Sequence, residues 1–167
     1  MENLVNAWPD QAFWKNKRIF LTGHTGFKGG WFSIWLASLG AKVRGYSLAP
    51  DTVPNLFSVT ELNSRMNQSE FADICDHAKL SAAISEFKPD IVFHFAAQPL
   101  VLRSYKEPVE TYRTNVMGTV TLIEACRPHA NIQSIVIVTT DKCYENREWN
   151  WGYRENDRLG GYDPYSS

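Results

Sequence analysis

Four consecutive residues, Thr139-Thr140-Asp141-Lys142, set hydroxyls, a carboxylate and an amine side by side directly after an apolar run. Asp141 has the chemistry of a general acid. Thr140 suits a donor that orients a hydroxyl, and Lys142 a base or an electrostatic partner. The same tetrapeptide also reads as a solvated Asp-Lys loop with a threonine cap. A second chemical feature is FLTGHTGFKGG, from Phe20 to Gly30, with glycines at 23, 26 and 29. Glycine lets the chain turn sharply and lets a pyrophosphate approach the backbone. The N–H groups and dipole of a following helix favour an anion there. Asp73 has the residue type of a turn or helix cap, or of an acceptor for an adenine amino group. Ala96 and Ala97 are small enough to let a flat cofactor pass, or simply to pack a helix on a strand. Tyr165 by type alone is a packing residue. His94 reads as a satisfied core histidine. Trp31 and Trp35 look like core, while Trp149 and Trp151 line a sugar pocket or anchor a loop.

These residues need elements to hold them. The first strand is expected at Arg18 to Leu21. A helix follows from about Gly26 to Leu39, with Phe27, Trp31, Ile34 and Trp35 on one face and Gly40 as its stop. Strands are expected at Lys42 to Leu48, weakly at Gln68 to Phe71, and clearly at Ile91 to Phe95. Residues 55–67 are ambiguous and open to a short helix. A helix from Asp76 to Phe87 is capped by Asp76 and ended by Pro89. A long helix is expected over Ser104 to Cys126, with Pro108 near its first turn. Ser134 to Val138 reads as a further strand of the buried type, and Cys143 to Pro164 as mostly loop. Alternating strands and helices give right-handed crossovers and a parallel sheet. Ligands of such sheets sit at the carboxyl ends of the strands. TGHTG, Asp73-Ile74, Ala96-Ala97-Gln98 and Thr139 to Lys142 all fall there.

The 167 residues suffice for one α/β domain with its own core, and 44% are apolar. A net charge of −1 argues against a nucleic-acid surface. No apolar run approaches a membrane span, and the N-terminus lacks a signal-peptide pattern. Residues 1–16 are read as a lead-in packing on the first strand, and 17–167 as the dinucleotide-binding domain. Cys75, Cys126 and Cys143 are odd in number and widely spaced, which suits free thiols in a reducing cytoplasm. They form no ligand-spaced cluster with the histidines, so no metal is expected.

The motifs Thr22-Gly23-His24-Thr25-Gly26-Phe27-Lys28-Gly29, Asp73-Ile74, His94-Phe95-Ala96-Ala97 and Asn115-Val116-Met117-Gly118-Thr119 occur in this order. Together they resemble the extended short-chain dehydrogenase/reductase superfamily over about Lys17 to Ser167. Within it the chain is most similar to the sugar-nucleotide 4,6-dehydratases, and among these to the CDP-glucose 4,6-dehydratases. HFAAQPLV, TNVMGT, TTDKCYENREW, WGYREND and GGYDPYS carry the finer match. Lysine at 142 distinguishes it, because the dTDP-glucose and GDP-mannose relatives have an acid there. The resemblance implies a Rossmann-type doubly wound parallel sheet. It also implies that the sheet is incomplete here, the last strands and a substrate domain lying beyond Ser167 of a longer polypeptide.

The implied cofactor is NAD, held by Gly23, Thr25, Gly26, Phe27, Lys28, Gly29, Asp73, Ile74, Ala96, Ala97, Gln98, Asn115 and Thr139. The implied reaction turns CDP-glucose into CDP-4-keto-6-deoxyglucose and water, with the hydride carried by NAD. Tyr165 as phenolate takes the 4-hydroxyl proton, and Thr140 holds that oxygen. Lys142 is the candidate base at C5, and Asp141 protonates the departing 6-hydroxyl. A base role needs a neutral lysine, hence a pKa well below the reference of about 10.4. Otherwise Lys142 acts electrostatically on an enolate. The superfamily's Tyr-x-x-x-Lys motif places its lysine past Ser167. The end of the second strand, Tyr46-Ser47-Leu48, lacks the acid that often meets the ribose, and no basic pair for a 2′-phosphate appears. The resemblance further implies a homodimer or homotetramer built on the long helix, and a place in bacterial lipopolysaccharide O-antigen synthesis. A 4-epimerase is the near alternative, disfavoured by the Asp-Lys pair. A non-catalytic NAD sensor is the distant one.

Overall fold

The computed structural model describes residues 9–167. The first eight residues of the expected lead-in lie outside the described residues. The rest of it carries a short helix, α1 (Gln11–Trp14), capped by Asp10, whose Oδ1 accepts the Ala12 N–H at 2.8 Å. Trp14 packs against the core beside β1.

Five parallel strands make the sheet, in the order β3-β2-β1-β4-β5. They are β1 (Arg18–Thr22), β2 (Lys42–Ser47), β3 (Gln68–Phe71), β4 (Ile91–His94) and β5 (Ser134–Ile137). The order reverses between β1 and β4, so the crevice at their carboxyl ends is the switch point where such sheets take ligands. Register aligns Thr22 with both Tyr46 and His94, which brings three strand ends level. On one face, α2 (Phe27–Ser38), α3 (Leu56–Val59) and α4 (Leu62–Arg65) cover Ile19, Leu21, Val43 and Ile91. On the other, α5 (His77–Phe87) and α8 (Gly118–Cys126) cover Phe20, Tyr46 and Val92. Residues 55–67, ambiguous in sequence, resolve into the two short helices α3 and α4.

Three expectations need correction. Trp31 and Trp35 are not core. They are 53% and 42% exposed, and Phe27 is more exposed still. The buried face of α2 is instead Gly29, Gly30, Ser33 and Leu36. Small residues let this helix sit close to the sheet, which turns the aromatic stripe outward. The helix expected from Ser104 to Cys126 is also interrupted. Its pieces are α6 (Val101–Lys106), α7 (Pro108–Tyr112), a π-helical turn (Arg113–Met117) and α8. Glu107 leaves the helical region because the following Pro108 clashes with a helical predecessor. The apolar stripe Val109, Tyr112, Val116, Val120 and Ile123 is exposed and is not intramolecular core. Thr111, Gly118, Leu122 and Ala125 face inward. Finally, β5 is not buried. It is the last strand of the sheet among the described residues, and Ile135, Val136 and Val138 stay accessible because no described element covers them.

Candidate functional site

The glycine loop is built as a tight turn into a helix. Gly23 adopts φ +75°, and its N–H donates to the Tyr46 carbonyl at 3.0 Å. A Cβ there would stand 2.6 Å from the Phe95 backbone. A Cβ on Gly29 would stand 2.1 Å from the Gly23 carbonyl oxygen. These two glycines are therefore needed by the fold itself. Gly26 differs. A Cβ on it would meet only the Gly23 carbonyl, at an ordinary 3.4 Å. Gly26 is exposed and is the N-cap of α2, with no side chain capping the helix. The first-turn N–H groups at Phe27 and Lys28 are thus left for an anion, beside open space that a larger residue would fill. A dinucleotide pyrophosphate fits this arrangement.

The side chains around the loop point inward. Thr25 is buried, its hydroxyl 2.8 Å from Ser47 Oγ and donating to the Leu48 carbonyl at 2.9 Å. It closes the end of β2 and offers a ligand its backbone. His24 is fully buried against Phe57 and Phe71, with Nε2 2.7 Å from Ser69 Oγ. Burial pushes its pKa down to about 4, with the Tyr46 backbone opposing.

One hub escaped the sequence reading. Thr22, the last residue of β1, accepts the N–H groups of Phe95 and Ala96, both at 3.1 Å. Its hydroxyl also lies 2.7 Å from His94 Nδ1, and His94 Nε2 lies 3.0 Å from Thr119 Oγ1. Thr119 donates to the Asn115 carbonyl at 2.7 Å. Satisfying every partner assigns the proton to Nε2, with Thr22 donating to Nδ1. His94 is therefore a neutral, buried link, as its core reading anticipated, and burial pushes its pKa down to about 4. Only the pairing of β1 with β4 makes Thr22 central, so its type alone carried no signal.

Past β4, Ala96 is half-buried and Ala97 exposed. Gln98 is buried and fully engaged. Its amide reaches the Leu100 backbone and Thr111, and its own backbone N–H and carbonyl are held by the Asn115 side chain at 2.8 and 3.1 Å. Gln98 and Asn115 therefore shape this loop, their amides being spent on it. Asp73 forms a turn by accepting the Cys75 N–H at 2.8 Å, and it pairs with Arg113 at 2.7 Å. Ile74 is buried against α8. Thus Thr22 ties the end of β1 to the end of β4, and Arg113 ties the loop after β3 to the helix beyond β4.

The residues expected to carry acid–base chemistry lie at the end of β5. Thr139 is exposed and Thr140 caps a 3₁₀ turn, Asp141–Cys143. Thr140 Oγ1 accepts the Lys142 N–H at 3.2 Å and donates to Asp141 at 3.3 Å. The Asp141 side chain is 85% exposed, with Lys142 Nζ 3.8 Å away. Tyr165 is half-buried on a turn made by Asp163, which accepts the Tyr165 and Ser166 N–H groups at 2.9 and 3.2 Å. The chain before it returns beside the Asp141–Cys143 turn, because Gly160 N–H donates to the Cys143 carbonyl at 2.8 Å. Among the described residues no hydrogen bond joins the Tyr165 hydroxyl to Thr140, Asp141 or Lys142. The turn-like character of Gly160 to Pro164 is thus seen in the structure, with Asp163 as its acceptor. Trp149 lies beside Trp151 and Tyr153 with tilted rings, centroids 5.7 and 5.5 Å apart, within the connecting loop, and Trp151 is largely exposed. No group of His, Cys, Asp or Glu among the described residues is arranged to hold a metal.

The sequence profile of the family described as GDP-mannose 4,6 dehydratase matches residues 20–167. The chain is 59% identical to the CDP-glucose 4,6-dehydratase of Salmonella typhimurium (strain LT2), over 95% of this chain and 44% of that protein. A probable dTDP-glucose 4,6-dehydratase of Sinorhizobium fredii is 30% identical over 90% of this chain and 45% of its own length. The chain therefore spans under half the length of these curated relatives. Among solved structures, the UDP-glucose 4-epimerase of Stenotrophomonas maltophila with bound NAD superposes with a TM-score of 0.77 at 23% identity, covering 90% of this chain and 45% of that one. That likeness carries the Rossmann-type fold. Since the family's profile spans residues 20–167, and with them the glycine turn, the Asp73 turn, the Asn115 clamp and the Asp141 turn, this chain belongs to the GDP-mannose 4,6-dehydratase family.

Proposed function

We propose that the full-length protein is an NAD-dependent hydro-lyase converting CDP-D-glucose to CDP-4-dehydro-6-deoxy-D-glucose and water. The observation that carries this is the Asp141-Lys142 pair, held on a turn directly after the strand that ends at the sheet's ligand edge. The similarity to the Salmonella typhimurium CDP-glucose enzyme supports the choice of nucleotide. The glycine cradle, Asp73 and the small residues at Ala96-Ala97 fit a dinucleotide, and the Stenotrophomonas epimerase carries NAD on the same fold. Bound there, NAD supplies a hydride acceptor for C4 and a donor for C6.

The chain's own residues then handle protons. Thr140 orients the sugar 4-oxygen, and Tyr165 takes its proton. The 4-ketone acidifies the C5 hydrogen, which Lys142 removes or, as a cation, helps to ionise. Asp141 gives a proton to the 6-hydroxyl, which leaves as water. The exposed stripe Val109, Tyr112, Val116, Val120 and Ile123 suits the contact of a homodimer or homotetramer. Free Cys75, Cys126 and Cys143 suit a cytoplasmic enzyme, and a deoxyhexose product suits lipopolysaccharide O-antigen synthesis.

The test supplies CDP-glucose, dTDP-glucose, UDP-glucose and GDP-mannose separately, with NAD, to the full-length protein. A 4-keto-6-deoxy product from CDP-glucose alone is expected. Product from another nucleotide overturns the substrate and keeps the chemistry. No keto product from any of them refutes the dehydratase reading.

A further inference from the structure

The π turn between α7 and α8 is left unexplained by the proposed acid–base chemistry. Such turns interrupt helices mostly where the position of a side chain matters. Here the turn joins two strand ends. Asn115 holds the Gln98 backbone after β4. Three further contacts reach the loop after β3. Arg113 Nη2 donates to Asp73 Oδ2 at 2.7 Å. The Cys75 thiol donates to the Arg113 carbonyl at 3.1 Å. Gly118, whose N–H closes the π turn on that same carbonyl, makes room for Ile74, whose Cγ2 would stand 2.6 Å from a Cβ at 118.

The consequence falls on the Asp73 carboxylate. It uses Oδ1 on the Cys75 N–H and Oδ2 on Arg113. An ionised carboxylate offers about four acceptor positions. Two remain, held in one plane by the two bonds already made. Burial raises the Asp73 pKa, but the Cys75 N–H and the Arg113 guanidinium outweigh it and hold it below the usual value. The group is thus an acceptor only. Both side chains are partly exposed, so the ion pair adds little stability, and its value lies in orientation.

We propose that Arg113 is a positioning residue for base selection. By fixing Asp73 as a rigid acceptor, it makes the adenosine end of the site prefer a purine bearing an exocyclic amino donor over one bearing a carbonyl there. This rests on the dinucleotide reading given above. The probe is nicotinamide hypoxanthine dinucleotide, in which an oxygen replaces the adenine amino group. Dissociation constants for it and for NAD are measured by calorimetry on the full-length protein, its Arg113→Met variant and its Arg113→Lys variant. The wild type should prefer NAD by about tenfold or more, as sites built around a buried or fixed acceptor do. Arg113→Met should cut the preference below about threefold, chiefly by weakening NAD, and Arg113→Lys should fall between. A loss of general stability would weaken both dinucleotides equally and leave the ratio intact. An unchanged ratio in a folded Met variant overturns the proposal, as does a wild type without preference. If the Met variant does not fold, an unchanged ratio in the Lys variant does the same. A wild type that binds neither dinucleotide refutes the cofactor reading itself.

Discussion

Mild acid should unfold this protein through two histidines. His24 and His94 are buried and neutral, each with a pKa pushed from 6.5 down to about 4 by burial. Protonating His94 would also break its network. Thr22 already accepts two backbone N–H groups and gives its own proton to Nδ1, so a proton on Nδ1 meets a donor. The folded pKa lies below the unfolded one, so between pH 6.5 and 4 the unfolded chain binds protons that the folded chain refuses. Stability is therefore full above pH 6.5 and is lost as pH falls toward 4. One proton taken up only by the unfolded chain costs about 1.4 kcal/mol per pH unit, so across this window each histidine contributes about 3 kcal/mol. Around pH 5 the two together give a slope approaching about 2.7 kcal/mol per pH unit. That is large against a typical total stability of about 5–15 kcal/mol. Urea midpoints at pH 7, 6 and 5 read this directly. His94→Asn should lower stability at pH 7 and remove roughly half of the slope. Asp73, held below its usual value, loses its share below this window. A midpoint constant from pH 7 to 5, or a slope unchanged in His94→Asn, would refute the reasoning.

Gly29→Ala places a methyl group against the Gly23 carbonyl and should weaken NAD binding at least about tenfold, read by titration. Asp141→Asn should slow water elimination by about two orders of magnitude while leaving NAD affinity within about twofold, because its exposed side chain meets only Thr140 and Lys142 of its own turn. Equal loss of both in a folded variant would remove Asp141 from the chemistry. Asn115→Ala leaves the Gln98 N–H and carbonyl without their partner and should cost about 1–3 kcal/mol in urea unfolding.

Several elements were legible in the sequence because their signals are local. The glycine turn, Asp76 as a helix cap, Gly40 as a helix stop and the run Ile91 to Phe93 are all dictated within a few residues. Other features were not. The stripe Phe27, Trp31, Trp35 has the right spacing for a buried face, but spacing cannot tell which of two faces meets the sheet. The decision came from Gly29, Gly30 and Ser33, whose small size permits the closer approach. Ser134 to Val138 has the composition of a covered strand, and among the described residues nothing covers it.

The sequence by itself determined the alternation of strands and helices, the glycine turn and which chemically able residues follow each strand. Each of these depends on neighbours along the chain. The tertiary structure alone decided how those residues are held. Thr22 meets His94 across 72 positions, Arg113 meets Asp73 across 40, and the π turn appears only where α8 must admit Ile74. Such partnerships follow from strand register and helix packing, which arise when distant segments compete for the same core and are not encoded in any single window of the chain.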